Sequence, residues 1–315
     1  MWVFRENDMV RENRGYKQDL MVLPFDHRGD FSNKMFQFGE KLSPEQVKEI
    51  ASYKEIIFEG FEKAATSGLP KEEMGILVDE QFGSEIITLA KKRGYTVCVA
   101  ADKGDIKEFD FAYGKDFRTH IEKTKPHFSK ALAFMNVEGD PQSNERQILK
   151  LQQLSSYLET SETKFLLELI VPVTQAQLEK CKGDESVFDI EMRPRLMVEA
   201  IKRLQDSGIE PDIWKLEGLD RKADYELLAK TCRRDERDNV GIIVLGRGED
   251  ESKVRDWLRA GATVAGIIGF AVGRTIFWGP LTNLHEKKAT REQAVEGIAA
   301  NYTKFCKLWL QAREG

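Results

Sequence analysis

Cysteine and histidine are scarce in this sequence. The four cysteines, Cys98, Cys181, Cys232 and Cys306, are far apart and form no C-x-x-C pair, and the four histidines are equally scattered. Neither H-x-H nor H-E-x-x-H occurs, so a compact zinc site is disfavoured, and we expect no metal and no other cofactor. Isolated cysteines are typical of reduced thiols in a cytoplasmic protein.

Long apolar runs are also missing. No segment approaches the roughly 20 residues that cross a bilayer, and the N-terminus is charged from Arg5 and lacks a signal-peptide core. We therefore expect a cytoplasmic location and no membrane partner. The 48 basic and 53 acidic side chains give a net charge of −5, which disfavours a broad nucleic-acid surface.

What the sequence does contain is a regular alternation of short apolar runs and longer amphipathic stretches, which is typical of repeated βα units. Eight strands are predicted, at residues 20–26, 75–79, 96–101, 131–136, 165–171, 212–217, 241–245 and 264–270. Several are almost continuously apolar, as expected of parallel strands covered by helices. No G-x-G-x-x-G turn follows the first strand, which disfavours an open dinucleotide-binding sheet.

The sequence thus predicts an α/β fold, a single (β/α)₈ TIM barrel over residues 1–315. Residues 1–14 form a predicted N-terminal extension and residues 282–315 a C-terminal helical segment. Whether these ends cover the barrel or a neighbouring subunit of a homo-oligomer is left open. One predicted helix begins after Ser43, which is followed by a proline and then by Gln46 in a capping pattern.

Functional residues of such barrels lie at the C-terminal ends of the strands. A charge inside an apolar strand needs a partner or a function, because removing it from water is costly. Lys215 is the leading candidate, since strand alternation points it into the barrel while Trp214 and Leu216 face the helices. A desolvated lysine becomes neutral more easily and can attack a carbonyl to form an imine. The alternative is a structural pair with Glu217.

Three further charged residues are candidates for the same site. Glu168, in the fifth strand, is expected to move protons opposite the lysine or to form a plain buried ion pair. Lys130 would keep Lys215 uncharged or hold a substrate oxygen, unless it is exposed at the start of its strand. Asp26 ends the first strand and would bind a hydroxyl, transfer a proton or cap the following loop.

The last two strands predict an anion site. Glycine-rich turns there let backbone N–H groups approach a phosphate, and a short helix points its positive end at it. Arginines in these turns add charge-assisted contacts, and His27 and Arg28 after the first strand could contact the same anionic substrate. The candidate residues are Gly246, Arg247, Gly248, Gly269, Gly273 and Arg274.

Several segments resemble a known family. Residues 22–29 (VLPFDHRG), 78–83 (VDEQFG), 193–194 (RP), 211–218 (PDIWKLEG) and 269–277 (GFAVGRTIF) are similar to an aldolase-like domain often fused behind the 5-dehydro-2-deoxygluconokinase of bacterial inositol catabolism. The resemblance covers about residues 15–281, and we expect the aldolase-like half to stand alone here. More distantly, the chain resembles class I tagatose-bisphosphate and sulfofructose-phosphate aldolases.

The resemblance implies a Schiff-base aldolase without a cofactor, with Lys215 as the imine-forming lysine. It matches Glu168, Lys130 and Asp26 to the family's catalytic groups, and Gly273 and Arg274 to its phosphate site. The implied substrate is 2-deoxy-5-keto-gluconate 6-phosphate, cleaved to dihydroxyacetone phosphate and malonate semialdehyde.

The end of the substrate away from the phosphate is less defined. The sequence departs from the tagatose enzymes at residues 246–248 and in an insertion at 174–191. The substrate carboxylate needs a cation, for which Arg28, Arg193 and Arg247 are the candidates, and Asn136 at the end of the fourth predicted strand is a further expected substrate contact. The alternatives are another ketose phosphate as substrate, a metal-dependent aldolase, or a non-catalytic barrel that binds a sugar phosphate.

Overall fold

The computed structural model describes residues 14–39, 41–104 and 106–314. Apart from Arg14, the predicted N-terminal extension lies outside the described residues. Within those ranges, none of the helices combines the length and the apolar character that a bilayer span requires.

Eight parallel strands form a closed barrel in which each strand pairs with the next along the chain and β8 pairs with β1. The predicted single (β/α)₈ barrel is therefore confirmed. The strands are β1 (Leu20–Pro24), β2 (Met74–Val78), β3 (Thr96–Ala100), β4 (Phe128–Phe134), β5 (Lys164–Ile170), β6 (Ile213–Glu217), β7 (Gly241–Leu245) and β8 (Ile267–Ala271).

Helices surround the barrel, and a π-helical turn, Asp30–Met35, follows β1. The predicted insertion after β5 forms two short helices, Gln175–Lys180 and Glu185–Glu191, before the next regular helix. The helices are α1 (Pro44–Ala65), α2 (Glu80–Lys92), α3 (Phe117–Thr124), α4 (Pro141–Leu158), α5 (Gln175–Lys180), α6 (Glu185–Glu191), α7 (Arg193–Asp206), α8 (Lys222–Cys232), α9 (Glu251–Ala262), α10 (Arg274–His285) and α11 (Arg291–Glu314).

Two strands begin three residues away from their predicted starts, whereas the other starts differ by at most one residue. β4 begins three residues early, at Phe128, because Ser129 and Lys130 belong to the strand although they interrupt the apolar run. β8 begins at Ile267 rather than at residue 264, since Val264 donates to the carbonyl of Gly261 and Gly266 has a φ of +102°. These residues form the turn after α9, so the apolar run is longer than the strand.

Alternating residues of the strands point into the barrel and fill its lower half with apolar side chains. Successive inward residues are two positions apart, so Lys215 and Glu217 follow Ile213 toward the C-terminal end of β6. Charged side chains therefore lie directly above an apolar floor, which consists of Leu20, Val22, Leu77, Cys98, Phe128, Leu166, Ile213, Ile243 and Ile268.

The C-terminal helix α11 packs against α1 and α10 of its own barrel. Tyr302 donates its hydroxyl to the carbonyl of Met21 in β1 at 2.6 Å, and Trp309 is fully buried beside Phe270 of β8. The helix thus covers the outside of the β1–β8 seam, which the sequence had left open. The predicted cap of α1 is confirmed, since Ser43 and Gln46 form a capping box.

Candidate active site

A cavity of about 550 Å³ opens at the C-terminal ends of the strands. Side chains from most strands and from the loops that follow them line it. Eleven predicted residues belong to its lining: Asp26, His27, Lys130, Glu168, Arg193, Lys215, Gly246, Arg247, Gly248, Gly273 and Arg274.

Lys215 and Glu168 form a buried pair near the floor of this cavity. The two residues are direct neighbours in the β5–β6 register, and Lys215 Nζ lies 2.8 Å from Glu168 Oε1. Glu217, the alternative partner considered from the sequence, pairs with Arg193 and Arg247 instead. The pair therefore places an amine and a proton-exchanging carboxylate in contact at the bottom of a water-accessible pocket.

Lys130 is surrounded by carboxylates. Its Nζ lies 2.9 Å from Asp26 Oδ2 and 3.0 Å from Glu168 Oε2. Asp102 Oδ1 is 3.2 Å away, at ion-pair distance, and makes no hydrogen bond within the described residues. Lys130 is therefore paired by charge with three carboxylates and is not a free cation for a substrate.

The charge of Lys130 controls the protonation of these carboxyls. Burial raises the pKa of Asp26 and of Glu168, but the charges of Lys130 and Lys215 together outweigh burial, and both pKa values are lowered overall. For Asp102 burial prevails, and its pKa is raised. Burial lowers the pKa of Lys130, yet the three carboxylates raise it well above its usual range. Asp102 is therefore the member of the cluster that most readily holds a proton.

His27 also lines the cavity and is held neutral. Burial lowers the pKa of its imidazole, and the ring packs against Phe277 of α10. Its Nδ1 is buried and has no hydrogen-bond partner in the described part of the chain. A neutral imidazole with an unpaired nitrogen is suited to a hydrogen bond with a substrate oxygen.

The anion end of the cavity lies at the N-terminus of α10. Gly273 caps this twelve-residue helix without a side-chain hydrogen bond, and both Gly273 and Arg274 line the cavity. Arg274 Nη2 donates to the carbonyl of Arg247 at 2.8 Å, and Thr275 Oγ1 donates to the carbonyl of Glu249 at 3.0 Å. These bonds join the loops after β7 and β8 into one wall.

Glycine is required at two points of this wall. A Cβ on Gly273 would lie 2.3 Å from the carbonyl oxygen of Pro24. Gly248 has a φ of +80°, and a Cβ there would lie 2.6 Å from Arg274 Nη2. The small residues thus allow the guanidinium to lie flat against the β7 loop.

The opposite end of the cavity contains two arginines held by two carboxylates. Arg193 donates through Nη1 to Glu217 Oε1 at 2.6 Å and to the carbonyl of Val171 at 2.9 Å. Its Nε and Nη2 both bond Asp189 of α6, a residue that the sequence interpretation had not singled out. Four of the five N–H donors of this guanidinium are therefore engaged within the protein.

Arg247 is the more available of these two cations. It donates to Asp189 Oδ2 at 2.6 Å and lies 3.4 Å from Glu217 Oε1 through Nε. Its side chain keeps 18% of its surface exposed, against 4% for Arg193. Its φ of +54° is unusual for a residue other than glycine, and such local strain is often found at functional sites.

Three predicted residues do not belong to the cavity lining and have other contacts. Asn136 bonds the carbonyl of Pro172 and the side chain of Gln177. Arg28 donates to the carbonyl of Asp102. Gly269 packs against the backbone of Leu20, where a Cβ would lie 1.9 Å from the carbonyl oxygen. These residues hold loops and strands together around the site.

The sequence interpretation missed four charged groups of the cavity: Asp102, Asp30, Lys34 and Glu185. Asp102 was detectable, because it follows β3 in phase with the inward residue Cys98, just as Asp26 follows β1. Asp30 and Lys34 lie on the π-helical turn, which no local pattern in the sequence announces.

The chain belongs to a bacterial protein family. The family model described as "Uncharacterized protein conserved in bacteria (DUF2090)" matches residues 6–313. No curated protein matches this chain in sequence.

A solved structure of a fructose-bisphosphate aldolase from Plasmodium falciparum, in complex with TRAP and a small-molecule inhibitor, is similar to the barrel. The TM-score is 0.66 at 12% sequence identity, over 98% of this chain and 94% of that chain. At this identity the likeness establishes a shared fold, a TIM barrel.

Proposed function

We propose that this member of the DUF2090 family is a class I aldolase, a carbon–carbon lyase in which Lys215 forms a Schiff base with the keto carbon of a phosphorylated, sugar-like substrate. The observation that carries the proposal is the buried Lys215–Glu168 pair, 2.8 Å apart at the floor of the cavity. A lysine in contact with a proton-exchanging carboxylate is the arrangement that imine formation requires.

Imine formation begins with a proton transfer. Glu168 Oε1 accepts a proton from Lys215 Nζ, and the neutral amine attacks the keto carbon to form a carbinolamine. Glu168 then returns its proton to the departing hydroxyl, which leaves as water. The product is a protonated imine, and Glu168 is again a carboxylate held in place by Lys130 at 3.0 Å.

Carbon–carbon cleavage follows from the electron demand of the protonated imine. Glu168 accepts the proton of the hydroxyl on the β-carbon, that carbon becomes an aldehyde, and the bonding pair moves toward the imine nitrogen to give an enamine. The protonated Glu168 next protonates the enamine carbon, and water hydrolyses the resulting imine. Asp26, with a lowered pKa, remains ionised and accepts a hydrogen bond from a substrate hydroxyl.

The substrate that best fits the family resemblance is 2-deoxy-5-keto-gluconate 6-phosphate. Cleavage between C3 and C4 releases malonate semialdehyde from C1–C3 and leaves C4–C6 on the enzyme as the enamine of dihydroxyacetone phosphate. The anion wall at Gly273 and Arg274 suits the phosphate. Arg247 suits the carboxylate, because Arg193 already directs its donors to Glu217, Val171 and Asp189.

The test is turnover in the direction of synthesis. Purified protein is incubated with dihydroxyacetone phosphate and malonate semialdehyde, and the six-carbon acid phosphate is detected by mass spectrometry. Parallel reactions contain glyceraldehyde 3-phosphate or sulfolactaldehyde instead of malonate semialdehyde. We expect condensation with malonate semialdehyde and none with the Lys215→Met variant.

Preference for another aldehyde would keep the chemistry and change the substrate. Absence of condensation with every aldehyde, despite binding of dihydroxyacetone phosphate, would contradict catalysis and favour a sugar-phosphate-binding barrel.

A further inference from the structure

The π-helical turn after β1 places a carboxylate between two cations at the anion end of the cavity. Asp30 Oδ1 lies 2.6 Å from Lys34 Nζ, and Asp30 Oδ2 lies 3.3 Å from Arg274 Nη1. Asp30 is 6% exposed, whereas 63% of the Lys34 side chain is exposed. All three residues line the cavity.

Arg274 does not depend on Asp30 for its orientation. Its Nη2 bonds the carbonyl of Arg247 at 2.8 Å, and its guanidinium lies against Gly248. The contact of Asp30 with Nη1 is long by comparison, at 3.3 Å. Asp30 therefore contributes charge to this end of the site more than it contributes geometry.

We propose that Asp30 is an internal anion that occupies the phosphate subsite in the ligand-free protein, and that Lys34 is a second cation that bound phosphate shares with Arg274. This inference rests on the proposed function, because it concerns the phosphate end of the same cavity. Asp30 has one oxygen for each cation, as a bound phosphate would have.

The charges at this end explain why such a group is needed. Arg274, Lys34 and the N-terminus of α10 are all positive, and they repel one another when no anion is present. Burial raises the pKa of Asp30, but the bond to Lys34 and the charge of Arg274 lower it overall, so the side chain is ionised. An arriving phosphate must replace this carboxylate at the two cations, and it then binds close to the carboxylate's negative charge. Asp30 therefore weakens phosphate affinity, while Lys34 strengthens it.

The test is calorimetric titration of inorganic phosphate into the wild-type protein and four variants. Asp30→Asn should bind phosphate more tightly, and Lys34→Met more weakly, each by about threefold or more. Arg274→Met should lose most of the binding. Asp110→Asn is the matched control, because Asp110 also bridges two lysines, Lys103 at 2.7 Å and Lys150 at 2.9 Å, away from the cavity lining.

The outcomes separate this inference from the proposed function. Weaker or unchanged binding in Asp30→Asn would overturn the role of Asp30, and unchanged binding in Lys34→Met would overturn that of Lys34. Either result, combined with loss of binding in Arg274→Met, leaves the phosphate subsite intact. Wild-type affinity in Arg274→Met, or no phosphate binding by the wild type, would overturn the subsite and the inference together. Thermal unfolding without phosphate checks that each variant is folded.

Discussion

At the scale of single residues, the proposed chemistry depends on Glu168, which contacts two lysines through different oxygens. Oε1 faces Lys215 and Oε2 faces Lys130. One lysine is the proposed nucleophile, and the other sets the charge of the carboxylate and those of its neighbours. The two lysines are therefore not interchangeable, although both are buried and both contact the same side chain.

The role of Lys130 predicts a change in pH dependence. The folded-state pKa of Glu168 is lowered chiefly by Lys130, against the effect of burial, so wild-type activity should fall only when the pH drops below the usual range of a glutamate. In Lys130→Met this cause is lost, the pKa of Glu168 rises, and the acid limb of the kcat/KM profile should move to higher pH. The measurement is the pH–rate profile of both proteins.

Lys54→Met is the matched control for this experiment. Lys54 is also a buried lysine, but it pairs with Asp79, the N-cap of α2, and does not line the cavity. Its acid limb should coincide with that of the wild type. An unmoved limb in Lys130→Met, in a variant that is folded by circular dichroism, would contradict the proposed effect of Lys130 on Glu168.

Much of the cluster is predictable from single residues, because charge within an apolar strand is rare and strand alternation sets its direction. Lys215 and Glu168 are predicted in this way, and Lys130 and Asp26 from their positions next to the start and at the end of predicted strands. The structure brings all four together. Asp102 follows the same strand alternation, but it comes directly after Ala100 and Ala101 and so lies outside the apolar run of β3. Which oxygen meets which ammonium depends on barrel register, and the sequence does not encode that locally.

At the scale of elements, the anion wall is made by the loops after β7 and β8. Arg247 and Gly248 both have positive φ values, and this backbone path leaves room for the guanidinium of Arg274. The loop after β7 thus determines the position of a side chain that belongs to the first residue of α10.

This arrangement predicts the effect of Gly248→Ala. The left-handed backbone costs an alanine about 1–2 kcal/mol, and its Cβ would lie 2.6 Å from Arg274 Nη2, so phosphate affinity should fall. Gly208→Ala is the matched control, since Gly208 has a φ of +75° and a Cβ on it would point into open space. Titration with phosphate should show a loss only in Gly248→Ala. Equal affinities in the two variants would contradict the packing argument.

The bounds of the elements show where local patterns are sufficient. β7, with glycine at its start and glycine after it, was predicted at its observed bounds. β4 was shortened in the prediction because Ser129 and Lys130 are polar, although both are buried by the fold. β8 was lengthened because Val264 and Gly266 form a turn that only the path of the chain after α9 determines.

At the scale of the whole molecule, the barrel is closed by β1 and β8 and covered along that seam by α11. Hydrophobic periodicity predicted the helix, but it could not indicate which surface the helix covers. The packing of Tyr302 and Trp309 on the first and last strands connects the C-terminus to the strands that carry Asp26 and the anion wall.

Loss of this packing should therefore destabilise the whole barrel. Trp309→Ala removes a fully buried indole and should lower the free energy of unfolding by about 3–5 kcal/mol. Lys307→Ala, on the exposed side of the same helix, should change it by no more than about 0.5 kcal/mol. Urea denaturation followed by circular dichroism measures both, and similar values for the two variants would contradict the assigned packing.

The central claim is that Lys215 forms a Schiff base, and covalent trapping tests it most directly. The protein is treated with dihydroxyacetone phosphate and sodium borohydride, with and without a chelator, and then analysed by intact-protein and peptide mass spectrometry. Lys130 and Lys54 serve as internal controls, because both are buried lysines paired with carboxylates. The account predicts one reduced adduct, on Lys215, that survives the chelator and is missing from Lys215→Met. An adduct on another lysine, or no adduct under conditions in which the ligand binds, would contradict it.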